Sequence, residues 1–246
     1  MKGVVMKIEE TINQKEKRLF CEWKDCWKKG RKQLLGKKLD AEKFVPDGVV
    51  DEDVFLTEDC RFVFILKETN QIGQTTLTEF LRNGAPGNGG HTWNPVCRWL
   101  TGEDRVFSVD ERASILRRIA VVNLKKEDGV SVTDMSRLGR VVELDREYIK
   151  AQLSFYGEHD PVFYICCGSG LLTMLRKCVL GDAEIQRKGS LCYIRPSCDR
   201  EVYYVAFNHP NCRQSGLIEK FKDIRTMVRN SCMEGPTCGG KPGSTR

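Results

Sequence analysis

Three short stretches of the chain, residues 62–66, 119–122 and 162–167, are apolar at every position. Runs of four to six such residues, rich in β-branched and aromatic types, are too short for free-standing helices. They fit strands buried on both faces of a sheet. Each run ends abruptly: on Lys67-Glu68-Thr69-Asn70, on Asn123, and on Gly168-Ser169-Gly170. Segments 192–195 and 201–207 predict two more strands around a turn at Pro196, the second ending on Asn208-His209-Pro210.

Between the strands the apolar positions recur at three and four residues, which is the helical period. Over 15–36 the stripe is Leu19, Phe20, Trp23, Cys26, Trp27, Leu34 and Leu35, with lysines between them that read first as a solvated face. Thr76-x-x-Glu79 is a capping-box pattern opening a short helix through Asn83. Asn94 as N-cap and Pro95 at the first helical position predict a helix over 96–101, stopped by Gly102. Further helices are predicted over 108–118, 141–155, 171–179 and 216–229. The stretch 40–59, with Pro46 and Gly48, predicts a loop-rich connection, 85–90 an irregular mobile loop, and 235–246 a disordered tail.

Strands alternating with helices predict an α/β fold: a three-layer α/β/α sandwich around a mostly parallel sheet of four to five strands. A chain of 246 residues with 40% hydrophobic content can bury one sizeable core. A single domain over 1–234 is therefore expected, with an N-terminal helical extension over about 1–45. The net charge of +6 is compatible with a nucleic-acid partner without requiring one. No run approaches a membrane span and residues 1–10 lack a signal-peptide core, so a cytoplasmic protein is expected, with no membrane partner and as a monomer. Twelve cysteines invite a metal or disulfide reading. Their spacings (Cys21-x4-Cys26, Cys166-Cys167, Cys192-x5-Cys198, Cys232-x5-Cys238) contain no C-x2-C knuckle, and a domain of this size needs no stapling. Most are expected to be small core residues, with no metal and no cofactor.

If the strands run parallel, their ends converge and place a carboxylate (Glu68), a carboxamide (Asn123), a glycine turn and an imidazole (His209) around one pocket. In this order the motifs resemble those of the uracil-DNA glycosylase superfamily. Leu66-Lys67-Glu68-Thr69 is similar to its first motif, Ala120-Val121-Val122-Asn123 to its second, the strand into Gly168-Ser169 to its third, and His209-Pro210-Asn211 to its fourth. The likeness covers roughly 62–213. The chain also resembles uncharacterised bacterial proteins with a K-E-P-N motif followed by T-W-N, matched by Lys67-Glu68-Thr69-Asn70 and Thr92-Trp93-Asn94.

The resemblance implies a DNA glycosylase that acts on single- or double-stranded DNA in repair or in defence against foreign DNA. It flips a base out and hydrolyses its N-glycosidic bond. Glu68 would then stabilise the oxocarbenium-like sugar and hold the attacking water, and His209 would hydrogen-bond the base oxygen on which charge collects. Asn123, with one donor and one acceptor, would read the base edge; Asn70 would join it, and Trp93, or else Phe80, would supply the aromatic platform. Lys67, Ser169, Asn211 and Arg213 would contact the DNA. Thr69 stands where the family has Pro, Asn211 where it has Ser, and Glu68 is one methylene longer than Asp. These differences leave uracil and modified pyrimidines both open as the excised base.

Two other functions fit the same residues: a hydrolase of free nucleotides or nucleosides, and a non-catalytic DNA-binding member of the superfamily. A dinucleotide-binding enzyme is disfavoured because no G-x-G-x-x-G follows the first strand. A serine hydrolase is disfavoured because Ser169 lies in no G-x-S-x-G.

Overall fold

A computed structural model of the chain describes residues 10–30, 33–34, 37–70, 72, 75–129, 133–159, 161–181, 186–188, 192–197 and 200–233. The 235–246 tail lies outside them. Helix α1 (Ile12–Lys28) opens on the reciprocal capping box of Thr11 and Gln14, and a small ribbon of β1 (Gln33–Leu34) and β2 (Lys37–Lys38) follows. The connection expected over 40–59 is more ordered than its Pro and Gly suggested. It holds a 3-10 turn (Ala41–Lys43), strand β3 (Gly48–Val49) and helix α2 (Glu52–Thr57), which Asp51 caps by accepting from Val54 N.

The first apolar run is the middle of β4 (Arg61–Asn70). Then come α3 (Leu77–Arg82), capped by Thr76, α4 (Gly90–Thr101), α5 (Val109–Leu116) with its Ser108–Glu111 capping box, and β5 (Ile119–Gly129). Helices α6 (Met135–Leu144) and α7 (Arg146–Gly157) lead to β6 (Val162–Cys167). The chain closes with α8 (Leu171–Leu175), which runs on as a π-helical turn (Arg176–Leu180), then β7 (Gln186–Lys188), β8 (Cys192–Ser197), β9 (Arg200–Phe207) and α9 (Leu217–Met233).

The sheet has the order β3-β5-β4-β6-β9-β8-β7. Its four central strands, β5, β4, β6 and β9, are parallel, as the apolar runs required, and antiparallel strands extend both edges beyond the four or five expected. Alternate residues feed two cores, because successive side chains point to opposite faces. Val63, Ile65, Ala120, Val122, Tyr164 and Cys166 face α1, α6, α7 and α8; Phe62, Phe64, Leu66, Val121, Phe163 and Ile165 face α3, α4 and α9. Helices therefore cover both faces, giving the three-layer arrangement. Cys26, Cys97, Cys166 and Cys167 are buried core residues. No helix among the described residues is long and apolar enough to cross a membrane.

Three local expectations are corrected. Helix α4 begins at Gly90, so the segment expected to be a mobile loop is a 3-10 turn (Gly87–Gly89) running straight into it, and Pro95 lies inside the helix rather than at its start. Asn94 is no cap: its Oδ1 accepts from Phe107 N at 2.7 Å and its Nδ2 donates to Arg105 O at 3.4 Å, clamping the loop after α4. The single helix expected over 141–155 is two, broken at Asp145, whose buried carboxylate accepts from Trp27 Nε1 at 3.3 Å. Continuous apolar periodicity cannot reveal a break created by a polar contact from a helix more than a hundred residues away.

Candidate active site at the carboxyl edge of the sheet

Strand register decides which side chains share a level. Leu66 pairs with Asn123, Ile65 with Cys166, and Cys167 with Phe207, so Asn123, Leu66, Cys167 and Phe207 form one row across the sheet. Two residues further on, Glu68 pairs with Lys125, while β6 and β9 have ended at Cys167 and Phe207, and Ser169 and His209 follow in the turns beyond them. Asn123 is thus not at its strand end. Strand β5 continues for six residues beyond it, since Val45 N donates to Lys126 O at 2.7 Å and Phe44 bridges Glu127, which gives the polar continuation backbone partners. Lys125, not Asn123, stands level with Glu68.

Glu68 and Lys67 are consecutive and therefore diverge. Glu68 has a side chain only 7% exposed. Its Oε2 accepts from Lys125 Nζ at 2.5 Å and its Oε1 from Thr133 Oγ1 at 2.7 Å. Lys125 also lies 3.5 Å from Glu127, which pairs with Arg137 at 3.1 Å, so charge alternates from the strand edge into α6. A side chain on Gly129 would collide with Glu68, so the close strand crossing here depends on that glycine.

Lys67 points to the opposite side, into a cavity of about 530 Å³ lined by Gly168, Ser169, Arg176, Asn208 and His209 among others. Its described lining holds no carboxylate, and Lys67 has no ion-pair partner among the described residues. Gly168, at φ +126°, makes the turn out of β6, where a Cβ would lie 3.6 Å from Lys67 Cε and 4.0 Å from His209 Cβ. His209 Nδ1 accepts from Asn211 N at 3.2 Å, which leaves the ring proton on Nε2. Burial, and then the Lys67 ammonium, lower the pKa of His209 below its ordinary value, so the imidazole is neutral at pH 7 and a hydrogen-bond donor through Nε2.

A second cavity, of about 740 Å³, lies between α4 and the loop entering α9, lined by His91, Arg98, Trp99, Asn211, Arg213 and Gln214 among others. Cys212 borders both cavities. Asn211 and Arg213 are exposed there, one step from His209. Among the described residues no group of three or more His, Cys, Asp or Glu side chains is placed to hold a metal ion.

The expectation of one pocket walled by Glu68, Asn123 and His209 is therefore corrected. Lys67, Ser169 and His209 share a cavity; Glu68 lies on the same edge but faces away from it, because strand geometry alternates side chains. Asn123 is 1% exposed, and its amide nitrogen and oxygen meet no hydrogen-bond partner among the described residues. A buried carboxamide without partners costs roughly 1–3 kcal/mol, so this position is held against its own solvation. Trp93 is 4% exposed and belongs to the core on the α3–α4–α9 side of the sheet, so it presents no open face to a base. Phe80 is half-buried against the same core, with its ring edge against Gly89. Asn70 closes β4, pairing with Gly129.

Sequence reasoning missed Lys125, Thr133 and Arg176. Lys125 could have been found from the Asn123-Leu124-Lys125 alternation, which continues the strand period and points Lys125 the same way as Asn123. Neither a family model nor a curated protein matches the chain.

Proposed function

We propose that the protein is a DNA glycosylase that hydrolyses the N-glycosidic bond of uracil or a modified pyrimidine, working at the carboxyl edge of its parallel sheet. The observation that carries this reading is the carboxyl edge of the sheet, where Lys67, Ser169, Arg176 and His209 line one acid-free cavity and Glu68, paired with Lys125, lies on the other side of β4. Because Glu68 and Lys67 diverge, a nucleotide reaching both Glu68 and His209 would lie across the end of β4. A sugar over Glu68 would meet a carboxylate able to stabilise positive charge. A base over His209 would meet the neutral imidazole's Nε2–H where negative charge develops. The acid-free cavity of Lys67, Ser169 and Arg176 suits the flanking phosphodiester, and Arg213 suits the strand beyond it.

One observation favours a second reading, a non-catalytic DNA binder of the same superfamily. Both oxygens of Glu68 already have protein partners, which leaves less capacity to orient a water. A paired experiment separates the two: oligonucleotides bearing uracil or other altered pyrimidines are incubated with the protein and treated with alkali, while binding is followed by fluorescence anisotropy. Strand cleavage that Glu68→Gln abolishes supports the glycosylase. Binding without cleavage across the panel supports the binder, and neither binding nor cleavage overturns both.

A further inference from the structure

Behind the sheet edge lies a polar cluster that the proposed reaction does not use. Lys126 is fully buried, with its Nζ 2.6 and 2.7 Å from the two oxygens of Asp47 and 2.9 Å from Gln152 Oε1. Asp47 also accepts from Gln152 Nε2 at 2.9 Å and from the backbone N–H of Asn123 at 2.7 Å. Gln152 Nε2 donates to the Tyr156 hydroxyl at 3.1 Å, and that hydroxyl donates in turn to Glu16 Oε1. Glu16 Oε2 accepts from Val49 N at 3.3 Å.

The cluster joins α1, the segment entering β3, strand β5 and helix α7 in one buried volume. Around Glu16 stand Asp47 and Val49 N–H from the β3 segment, Lys126 from β5, and Gln152 and Tyr156 from α7; Asp145 acts on Lys126 from the α6–α7 junction. Asp47 and Lys126 cancel one another, so an ionised Glu16 would be a net buried negative charge without a counter-ion. The carboxyl group packs directly on Gly48, where a Cβ would overlap it.

We infer that α1 is held on the sheet by a proton-dependent latch: Glu16 seats in the cluster as the neutral acid, and loss of that proton weakens the docking of α1. Desolvation, aided by the neighbouring Asp47, pushes the pKa of Glu16 from 4.5 up to about 8. The seated form thus holds the proton where the released form has lost it. The latch is tightest below pH 4.5, weakens with each unit up to about pH 8, and changes no further above that. Because Asp47 also holds the backbone of Asn123, the latch reaches the row beneath the proposed site.

Hydrogen exchange on the full chain tests this. The protection of α1 backbone amides, corrected for intrinsic exchange, is followed from pH 5 to pH 9 in the wild type and in Glu16→Gln. The wild type is expected to lose protection about tenfold per pH unit up to pH 8 and then level off, with the loss absent in Glu16→Gln. Identical pH profiles in the two proteins would overturn the latch. If Glu16→Gln does not fold, the wild type decides alone: α1 amides whose protection is flat between pH 5 and pH 8 overturn it, and the tenfold slope upholds it.

Discussion

Lys125 and Lys126 are consecutive on β5 and share almost nothing else. Lys126 points into the α1–α7 core, is 1% exposed, and has every donor engaged by Asp47 and Gln152 or directed over the rings of Phe20 and Trp23 at 5.5 and 5.2 Å. Lys125 points to the other face, at the sheet edge, between Glu68 and Glu127. One ammonium is enclosed in an interior network; the other belongs to a charge chain at the mouth of the sheet, one row above a carboxamide that has no hydrogen-bond partner among the described residues. The two lysines thus separate an interior network that holds α1, β5 and α7 together from a charge chain that runs along the sheet edge into α6.

The contrast can be broken most severely at Lys126. Lys126→Met strands the Asp47 carboxylate in the core and should cost about 3–5 kcal/mol in urea unfolding, whereas Lys125→Met should cost about 1–2 kcal/mol, since Glu68 keeps Thr133. Equal losses would mean that both lysines are structural. Next in size is Glu68→Gln, for which base release should fall by about 100-fold or more with the fold intact by circular dichroism. A smaller effect is expected at Lys67→Met. The salt slope of DNA binding should decrease by about 1, uniformly across sequences, and the NMR titration of His209 should move up as the repelling ammonium is lost.

The smallest expected effect is on stability in mild acid. His209 binds its proton less readily folded than unfolded, so its own contribution to stability should fall as pH drops below 6.5 through the lowered pKa, against the larger gain from Glu16 over the same range, and Lys67→Met should reduce the His209 loss. The difference in thermal midpoint between Lys67→Met and the wild type, followed from pH 7 to pH 5, isolates it. Unchanged acid sensitivity in Lys67→Met would detach His209 from Lys67 and with it the shared cavity.

Much of this was legible in the chain, for local reasons. The run 162–167 is β6 to the residue, because a strand buried on both faces admits no polar side chain and its neighbours Pro161 and Gly168 break the pattern. The cap at Thr76 was legible because an N-cap hydroxyl finds its N–H partner three residues on. Asn94 and Asp145 were misjudged for the opposite reason: their partners, Phe107, Arg105 and Trp27, are distant and leave no trace in local spacing. The site was half legible. Glu68, Ser169 and His209 were placed at strand ends by where apolar runs stop, but the level of Asn123 depended on how far β5 continues.

What the sequence by itself determined is the alternation of buried strands and amphipathic helices, and hence a parallel sheet with helices on both faces, since burial pattern is a local property of residue type and period. What only the tertiary structure decided is register and facing: that Lys125 rather than Asn123 meets Glu68, that Lys67 and Glu68 part to opposite sides, and that Glu16, Asp47, Lys126 and Tyr156 close one network. Those outcomes depend on pairings between segments up to 140 residues apart. The free energy of such a pairing lies in the contact, and neither partner's sequence neighbourhood contains it.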